Sequence, residues 1–330
     1  MMQFKNLGRT GIKVSSLCFG TMSFGDIADE AMSEKMYHRC REIGINFFDC
    51  ANVYAGGRSE ELLGKFIAVE REKVIITSKV YFPTGDDANA RGANRRHITL
   101  EVEKSLRRLN TDWIDIYFIH HFDENTPLEE TLAALDDLVK QGKILYPAVS
   151  NFSAWQIMKA LGISEREHLS RFEVVQPMYN LVKRQAEVEI LPLAMSEGLG
   201  VIPYSPLGGG LLTGKYGPDK RPEKSRIVSN KMYSVRYGED WMLMAASEFS
   251  ELAESLGVAP ATLAVRWVVE HPAVTAPIIG ARNLNQLEES LKAVEIEMTR
   301  DLYGRISGIT QKPAIATDRT EEIDEIMYRS

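Results

Sequence analysis

The sequence predicts an α/β fold, a TIM-type (β/α)8 barrel, and two observations carry that prediction. Eight short apolar runs rich in β-forming residues punctuate the chain, at 17–19, 45–48, 74–77, 114–119, 146–149, 174–176, 201–203 and 276–279. The first seven recur at intervals of roughly thirty to forty residues, the size of one strand–helix–strand unit. Amphipathic, helix-forming segments lie between them, at 34–43, 60–67, 97–109, 128–141, 154–161 and 186–196. Strands that are apolar on both faces belong to a sheet covered on both sides, which favours a closed parallel barrel over the rival open, doubly wound sheet. No low-complexity linker splits the 330 residues, so 1–330 reads as one domain with a C-terminal tail from about 307 to 330.

In chain order, residues 2–14 read as a short N-terminal β-hairpin turning at Gly8-Arg9-Thr10-Gly11. The second barrel strand opens the stretch on which the rest is organised, GINFFDCANVYAGGRSEELLG. Asp49 stands where that strand ends, and a loop with Tyr54, Gly56 and Gly57 follows. Ser59 is the expected N-cap of the next helix, with Glu60 and Glu61 in its first turn. Farther on, Thr126 as cap, Pro127 in the first turn and Gly142 past the end delimit a helix. The interval between the seventh and eighth strands is the longest. It holds a Gly-rich turn, a polar stretch at 215–237 and a helix at 241–256, with the regular barrel helix at 260–270. Such an excursion is usually a lid or binding loop. The tail beyond Ile306, with Pro313 and many charges, reads as loosely held.

Composition narrows the function classes. With 44% apolar residues the chain can bury a large core, and a net charge of −7 argues against a nucleic-acid partner. No apolar run is long enough to span a membrane, and the N-terminus lacks the apolar core of a signal peptide. Cys18, Cys40 and Cys50 have no zinc-ligand spacing and read as reduced thiols, which places the expectation on a soluble cytoplasmic protein, monomer or homo-oligomer. No His and carboxylates cluster at strand ends, so no metal is expected.

Three neighbouring strand ends carry chemistry. Asp49 and Tyr54 follow the second strand, Lys79 the third and His120 the fourth. Reduction of a carbonyl by hydride transfer has work for each type. The developing alkoxide needs a proton, and a phenol with an unperturbed pKa of about 10 can give one if a nearby lysine lowers that value. Asp49 would hold the lysine. A neutral His120 can hydrogen-bond the carbonyl oxygen. His121 should point away and form pocket wall or support.

These residues sit in blocks that resemble one family across almost the whole chain. FFDCANVYAGGRSEELLG, ITSKV, IDIYFIH, VSNFS, VQPMYNLVKR and IPYSPLGGGLLTGKY are similar to the aldo-keto reductases, in particular the bacterial and potassium-channel β-subunit branch. The resemblance implies a TIM barrel that binds NADPH (or NADP+) in extended form and reduces a small-molecule aldehyde or ketone, with alcohol oxidation as the reverse. It places the family's catalytic tetrad on Asp49, Tyr54, Lys79 and His120. Cys50 stands where the family commonly has Thr or Ser. A second class implied by the same branch is a cofactor-sensing regulatory binding protein with slow turnover.

No G-x-G-x-x-G is present, so a dinucleotide must be held by the barrel's own loops. The polar tips Ser150, Asn151 and Gln176 suit a carboxamide, and the resemblance assigns them to the nicotinamide amide, with Tyr204 stacking on the ring. It extends the cofactor contacts to Thr21 and Met22, to Ser205, Pro206 and Leu207, and to Gly280. Gly208, Gly209 and Gly210 allow close backbone approach to a pyrophosphate, and Lys215 supplies charge. Gly209 to Lys215 approaches a Walker A pattern, but Tyr216 replaces the magnesium-binding hydroxyl. Arg282 could fork onto a 2'-phosphate, and Gln286, Glu289 and Ser290 share one helix face toward the adenosine. Substrate walls are expected from Phe24, Tyr54, Tyr81, Phe82, His120, Phe122, Met178 and Tyr179, with Tyr233 and Tyr237 of the excursion. Arg91, Arg95 and Arg96 read as a solvated basic face.

Overall fold

The structure, a computed structural model, describes residues 2–223 and 225–318. A two-stranded antiparallel hairpin, β1 (Phe4–Asn6) and β2 (Lys13–Ser15), precedes eight parallel strands: β3 (Cys18–Gly20), β4 (Phe47–Asp49), β5 (Ile75–Val80), β6 (Ile114–Ile119), β7 (Ile144–Ser150), β8 (Val174–Gln176), β9 (Gly200–Val201) and β10 (Ile278–Ile279). Their order, β10-β3-β4-β5-β6-β7-β8-β9, follows the chain. The last seam closes without a regular ladder. Thr275 N and Ala276 N donate to the Val201 carbonyl at 2.9 and 3.3 Å, and Ile278 N donates to the Pro203 carbonyl at 2.8 Å.

Around the barrel run α1 (Glu30–Glu42), α2 (Arg58–Ile67), α3 (Arg95–Leu109), α4 (Leu128–Lys140), α5 (Ala154–Glu167), α6 (Ile190–Glu197), α7 (Arg226–Ser229), α8 (Lys231–Tyr237), α9 (Asp240–Ser255), α10 (Pro260–Glu270), α11 (Leu284–Leu291) and α12 (Arg300–Gly308). Two apolar layers result. The outer one lies between strands and helices. The inner one fills the barrel with Phe47, Ile116, Phe118, Val174 and Ile202, and Leu7 and Val14 of the hairpin plug its base. Alternation along each strand then decides which residues face the axis at the open mouth. Phe47 and Asp49 share one face of β4; Ile116 and Phe118 are followed by His120 beyond β6.

Several boundaries differ from the sequence expectations, each for a tertiary reason. Ser59 is not the cap of α2. Gly57 holds that position in a left-handed conformation, and the Ser59 hydroxyl donates to the Thr21 carbonyl at 2.8 Å. Thr126 does not cap α4: its hydroxyl donates to Asp123 at 2.8 Å, and Pro127 takes the cap position. The stretch at 186–196 begins as a 3-10 turn over Gln185–Glu187 before α6. The polar stretch at 215–237 contains α7 and α8. The tail is docked as far as Thr310. Trp267 Nε1 donates to the Ser307 hydroxyl at 2.9 Å, and the Thr310 hydroxyl donates to the Leu181 carbonyl at 2.8 Å. Residues 319–330 lie outside the described residues. Among the described residues, no single helix is long and apolar enough to cross a membrane.

Candidate active site

Strand register brings the four residues to one point at the barrel mouth. Asp49 lies opposite Thr77, two residues before Lys79, and Lys79 lies opposite Phe118, two residues before His120. Tyr54 arrives on the 3-10 turn Tyr54–Gly57, in which Ala55, Gly56 and Gly57 all have positive φ. Lys79 is fully buried. Its ammonium donates to both Asp49 oxygens at 2.7 and 2.6 Å, to the Cys50 carbonyl at 2.7 Å and to the Tyr54 hydroxyl at 3.4 Å. Asp49 Oδ1 also accepts from the Thr77 hydroxyl and from Gln176 Nε2, both at 2.8 Å.

Charge states follow from this packing. Burial is the largest single influence and opposes the Lys79 charge, but Asp49, Tyr54 and Cys50 together hold the pKa above the ordinary lysine value. The Tyr54 phenol corrects the sequence expectation. Burial pushes it up to about 12, and the opposing pull of the Lys79 ammonium is the smaller effect. Burial, then the Lys79 charge, depresses the His120 imidazole well below the ordinary histidine value, so the ring is neutral. Its Nδ1 is buried and has no hydrogen-bond partner among the described residues. The ring meets Tyr54 and Phe82 edge-on, at centroid distances of 6.2 and 4.9 Å.

Asp49, Tyr54, Phe82 and His120 border a cavity of about 800 Å³, with Lys79 buried behind them, that also reaches Arg282, Gln286 and Glu289 beyond β10. Met22, Ser150, Asn151, Gln176, Tyr204, Ser205, Pro206, Leu207, Gly210, Lys215 and Gly280 line it as well. Three expected cofactor residues do not. Thr21 is buried behind Asp49, donating to its carbonyl at 3.0 Å, and Gly208 and Ser290 are buried among packed atoms. The carboxamide-like tips are engaged with one another and their neighbours. Ser150 donates to the Gln176 carbonyl at 2.9 Å, Asn151 Nδ2 to the His120 carbonyl at 2.9 Å, and the Tyr204 hydroxyl to Asn151 Oδ1 at 2.7 Å.

The substrate walls need more correction. Phe24 is fully buried against Phe19 and Phe66, because its backbone N–H closes a turn onto the Thr21 carbonyl and rolls the ring inward. Tyr81 packs on Phe82 and His121, and Phe122 on Phe152 and Trp155, and neither Tyr81 nor Phe122 reaches the cavity wall. Met178 borders a neighbouring groove with Lys183 and Lys231. Tyr179 and Tyr237 are core residues. Phe82, His121 and Tyr233 do line the cavity, as does Gly209 of the glycine run, and so do Arg226, Met232 and Arg236, which the sequence does not point to. The polar stretch concealed them, since its apolar faces are too short to reveal a helical period.

The far end of the cavity is cationic. Burial, then the charges of Arg282 and Arg226, lowers the Lys215 pKa. Among the described residues, Lys215, Arg226, Arg236 and Arg282 have no carboxylate within ion-pair distance. Gly209, at φ +66°, leaves no room for a Cβ, which would stand 2.7 Å from the Tyr233 ring. Clustered cations beside bare backbone suit a polyanion, and the donor set fits the phosphates of a dinucleotide.

A family model described as the aldo/keto reductase family matches residues 16–311. The chain is 37% identical over 323 residues to the uncharacterized oxidoreductase YrpG of Bacillus subtilis, covering 94% of this chain and 97% of that one. It is 38% identical over 302 residues to a probable voltage-gated potassium channel subunit beta of Arabidopsis thaliana, covering 89% and 92%. With a putative aryl-alcohol dehydrogenase of Schizosaccharomyces pombe it shares 32% over 329 residues, covering 89% and 92%. With that fold and a match of that extent, the chain is an oxidoreductase and belongs to the aldo/keto reductase family.

Proposed function

We propose that the protein transfers a hydride from NADPH to the carbonyl of an aldehyde or ketone, and in reverse oxidises the alcohol, with Tyr54 as general acid. The observation that carries this reading is the Tyr54 hydroxyl held 3.4 Å from a fully buried ammonium, at the floor of the cavity, beside a neutral imidazole whose Nδ1 has no partner among the described residues. When bound, the reduced dinucleotide supplies the hydride. His120, neutral, orients and polarises the carbonyl oxygen by a hydrogen bond and has no second proton to give. Tyr54 therefore protonates the oxygen as negative charge develops on it. The phenolate left behind faces the Lys79 ammonium, which Asp49 keeps charged and in place.

Arg282, at the cationic end, is the residue we assign to a 2'-phosphate. Loss of an Arg–phosphate hydrogen bond costs roughly 1.5–3 kcal/mol, about 10- to 150-fold in affinity. Arg282→Ala should raise the KM for NADPH by that order and leave the KM for NADH within about twofold. The test of the whole reading is oxidation of NADPH and of NADH, followed by absorbance, across a panel of aldehydes, ketones and sugars. No turnover of any member would overturn the enzymatic reading, and a hundredfold preference for NADH would overturn the role given to Arg282. The likeness to channel β subunits supports a second reading, cofactor sensing. Tight NADPH binding with turnover near zero over the same panel is its signature.

A further inference from the structure

The turn that carries Tyr54 rests on a buried carboxylate for which the proposed chemistry has no use. Glu60, in the first turn of α2, is fully buried. Its Oε1 accepts from the Ser78 hydroxyl at 2.5 Å, and its Oε2 accepts from Arg108 Nε at 2.6 Å. Ser78 immediately precedes Lys79 on β5. Arg108 belongs to α3, and its Cδ lies 2.9 Å from where a Cβ on Gly57 would stand, so its stem is seated against the end of the turn. Two helical turns earlier on the same face of α3, buried Glu101 accepts from Asn52 Nδ2 at 2.9 Å, two residues before Tyr54. One helix thus grips the turn from both sides.

The turn requires such a grip. Three successive residues after Tyr54 have positive φ, and one of them, Ala55 at +48°, carries a Cβ. Left-handed backbone of that kind persists only where the surroundings over-determine it. A buried ion pair, meanwhile, is a poor source of stability compared with apolar packing of the same volume. What Glu60 does uniquely is join three pieces: the helix that follows the Tyr54 turn, the strand position next to Lys79, and α3.

We propose that Glu60, through Arg108 and Ser78, is a positioning residue that sets the distance between the Tyr54 hydroxyl and the Lys79 ammonium. The proposal rests on the reading of Tyr54 as the proton donor. Without the brace the turn relaxes and the phenol drifts from the ammonium. Proton transfer then slows, while the cationic end of the cavity is untouched.

The test is Glu60→Gln in the full chain, with para-nitrobenzaldehyde and NADPH. Glutamine keeps an oxygen for Ser78 but cannot accept from Arg108 at its amide nitrogen. A misplacement near 1 Å costs about 100-fold, so kcat should fall roughly 10- to 100-fold. The aldehyde KM and the NADPH Kd should stay within about twofold, and the solvent deuterium isotope effect on kcat should rise as proton transfer becomes limiting. An unchanged kcat overturns the proposal. So does a parallel loss of rate and cofactor affinity, because that is the signature of partial unfolding. Arg108→Lys keeps the charge on a floppier stem and serves if Glu60→Gln does not fold. It should lose several-fold in kcat at constant Kd, and wild-type kcat there also overturns the proposal. Tyr54→Phe separates the two claims: an active Tyr54→Phe removes the proton-donor reading itself, whereas an inactive Tyr54→Phe beside an unaffected Glu60→Gln removes only the brace.

Discussion

Tyr54→Phe should lower kcat for carbonyl reduction by roughly 100- to 10,000-fold, the range of general acid–base catalysis. The expectation is sharp because little else changes. The ring keeps its edge contact with His120 and its place 5.0 Å from the Lys79 ammonium. Lys79 retains both Asp49 oxygens and the Cys50 carbonyl, so no buried charge is stranded. NADPH affinity, measured by fluorescence titration, should be almost unaffected. His120, whose imidazole is neutral, has no second proton with which to take over the transfer. Turnover within threefold of the parent would eliminate Tyr54 as donor.

The same phenol dictates a pH profile. Its folded value, about 12, lies above the unperturbed value near 10, so the hydroxyl is protonated through the neutral range. For reduction, kcat/KM should show no loss assignable to Tyr54 below about pH 10. The linked stability has the matching sign. A raised pKa contributes stability that is complete below the unfolded value and disappears as pH rises through the folded one.

Asp49→Asn should produce the second large effect, on stability as well as rate. The Lys79 side chain is 0% exposed and that of Asp49 only 3%. Neutralising the carboxylate leaves an ammonium in a dry site, which costs roughly 3–5 kcal/mol. Urea unfolding followed by circular dichroism measures that loss, and kcat should fall with it. Asp49→Asn combined with Lys79→Met should then regain much of the stability, since removing both charges spares the desolvation penalty, and yet remain inactive. A double variant no more stable than Asp49→Asn would mean that the ion pair is not the source of the loss.

Particular residues show where sequence reasoning succeeded and where it stopped. The barrel was legible because burial on both faces of a strand forces continuous apolar runs, and the period of strand and helix follows from the repeating unit. Asp49, Lys79 and His120 were placed by the ends of those runs. Ser59 looked like a helix cap by its type, but the Thr21 carbonyl offered a buried partner and the cap moved to Gly57. Phe24 looked like a pocket wall by its place after a strand, and one backbone hydrogen bond rolled it into the core. Arg226, Met232 and Arg236 reached the cavity through two helices of seven residues or fewer, too short to write a period into the sequence.

The chain's own order determined the (β/α)8 repeat, the kinds of side chain at the strand ends, and the family. Those are properties of spacing and residue type, which local sequence records. Only the tertiary structure decided that burial outweighs Lys79 at the Tyr54 phenol, that Glu60 turns inward to Arg108, and that Lys215, Arg226 and Arg282, with no ion-pair partner among the described residues, gather at one end of the cavity. Desolvation, ion pairing and cavity shape depend on atoms far apart along the chain, so no stretch of sequence carries them alone.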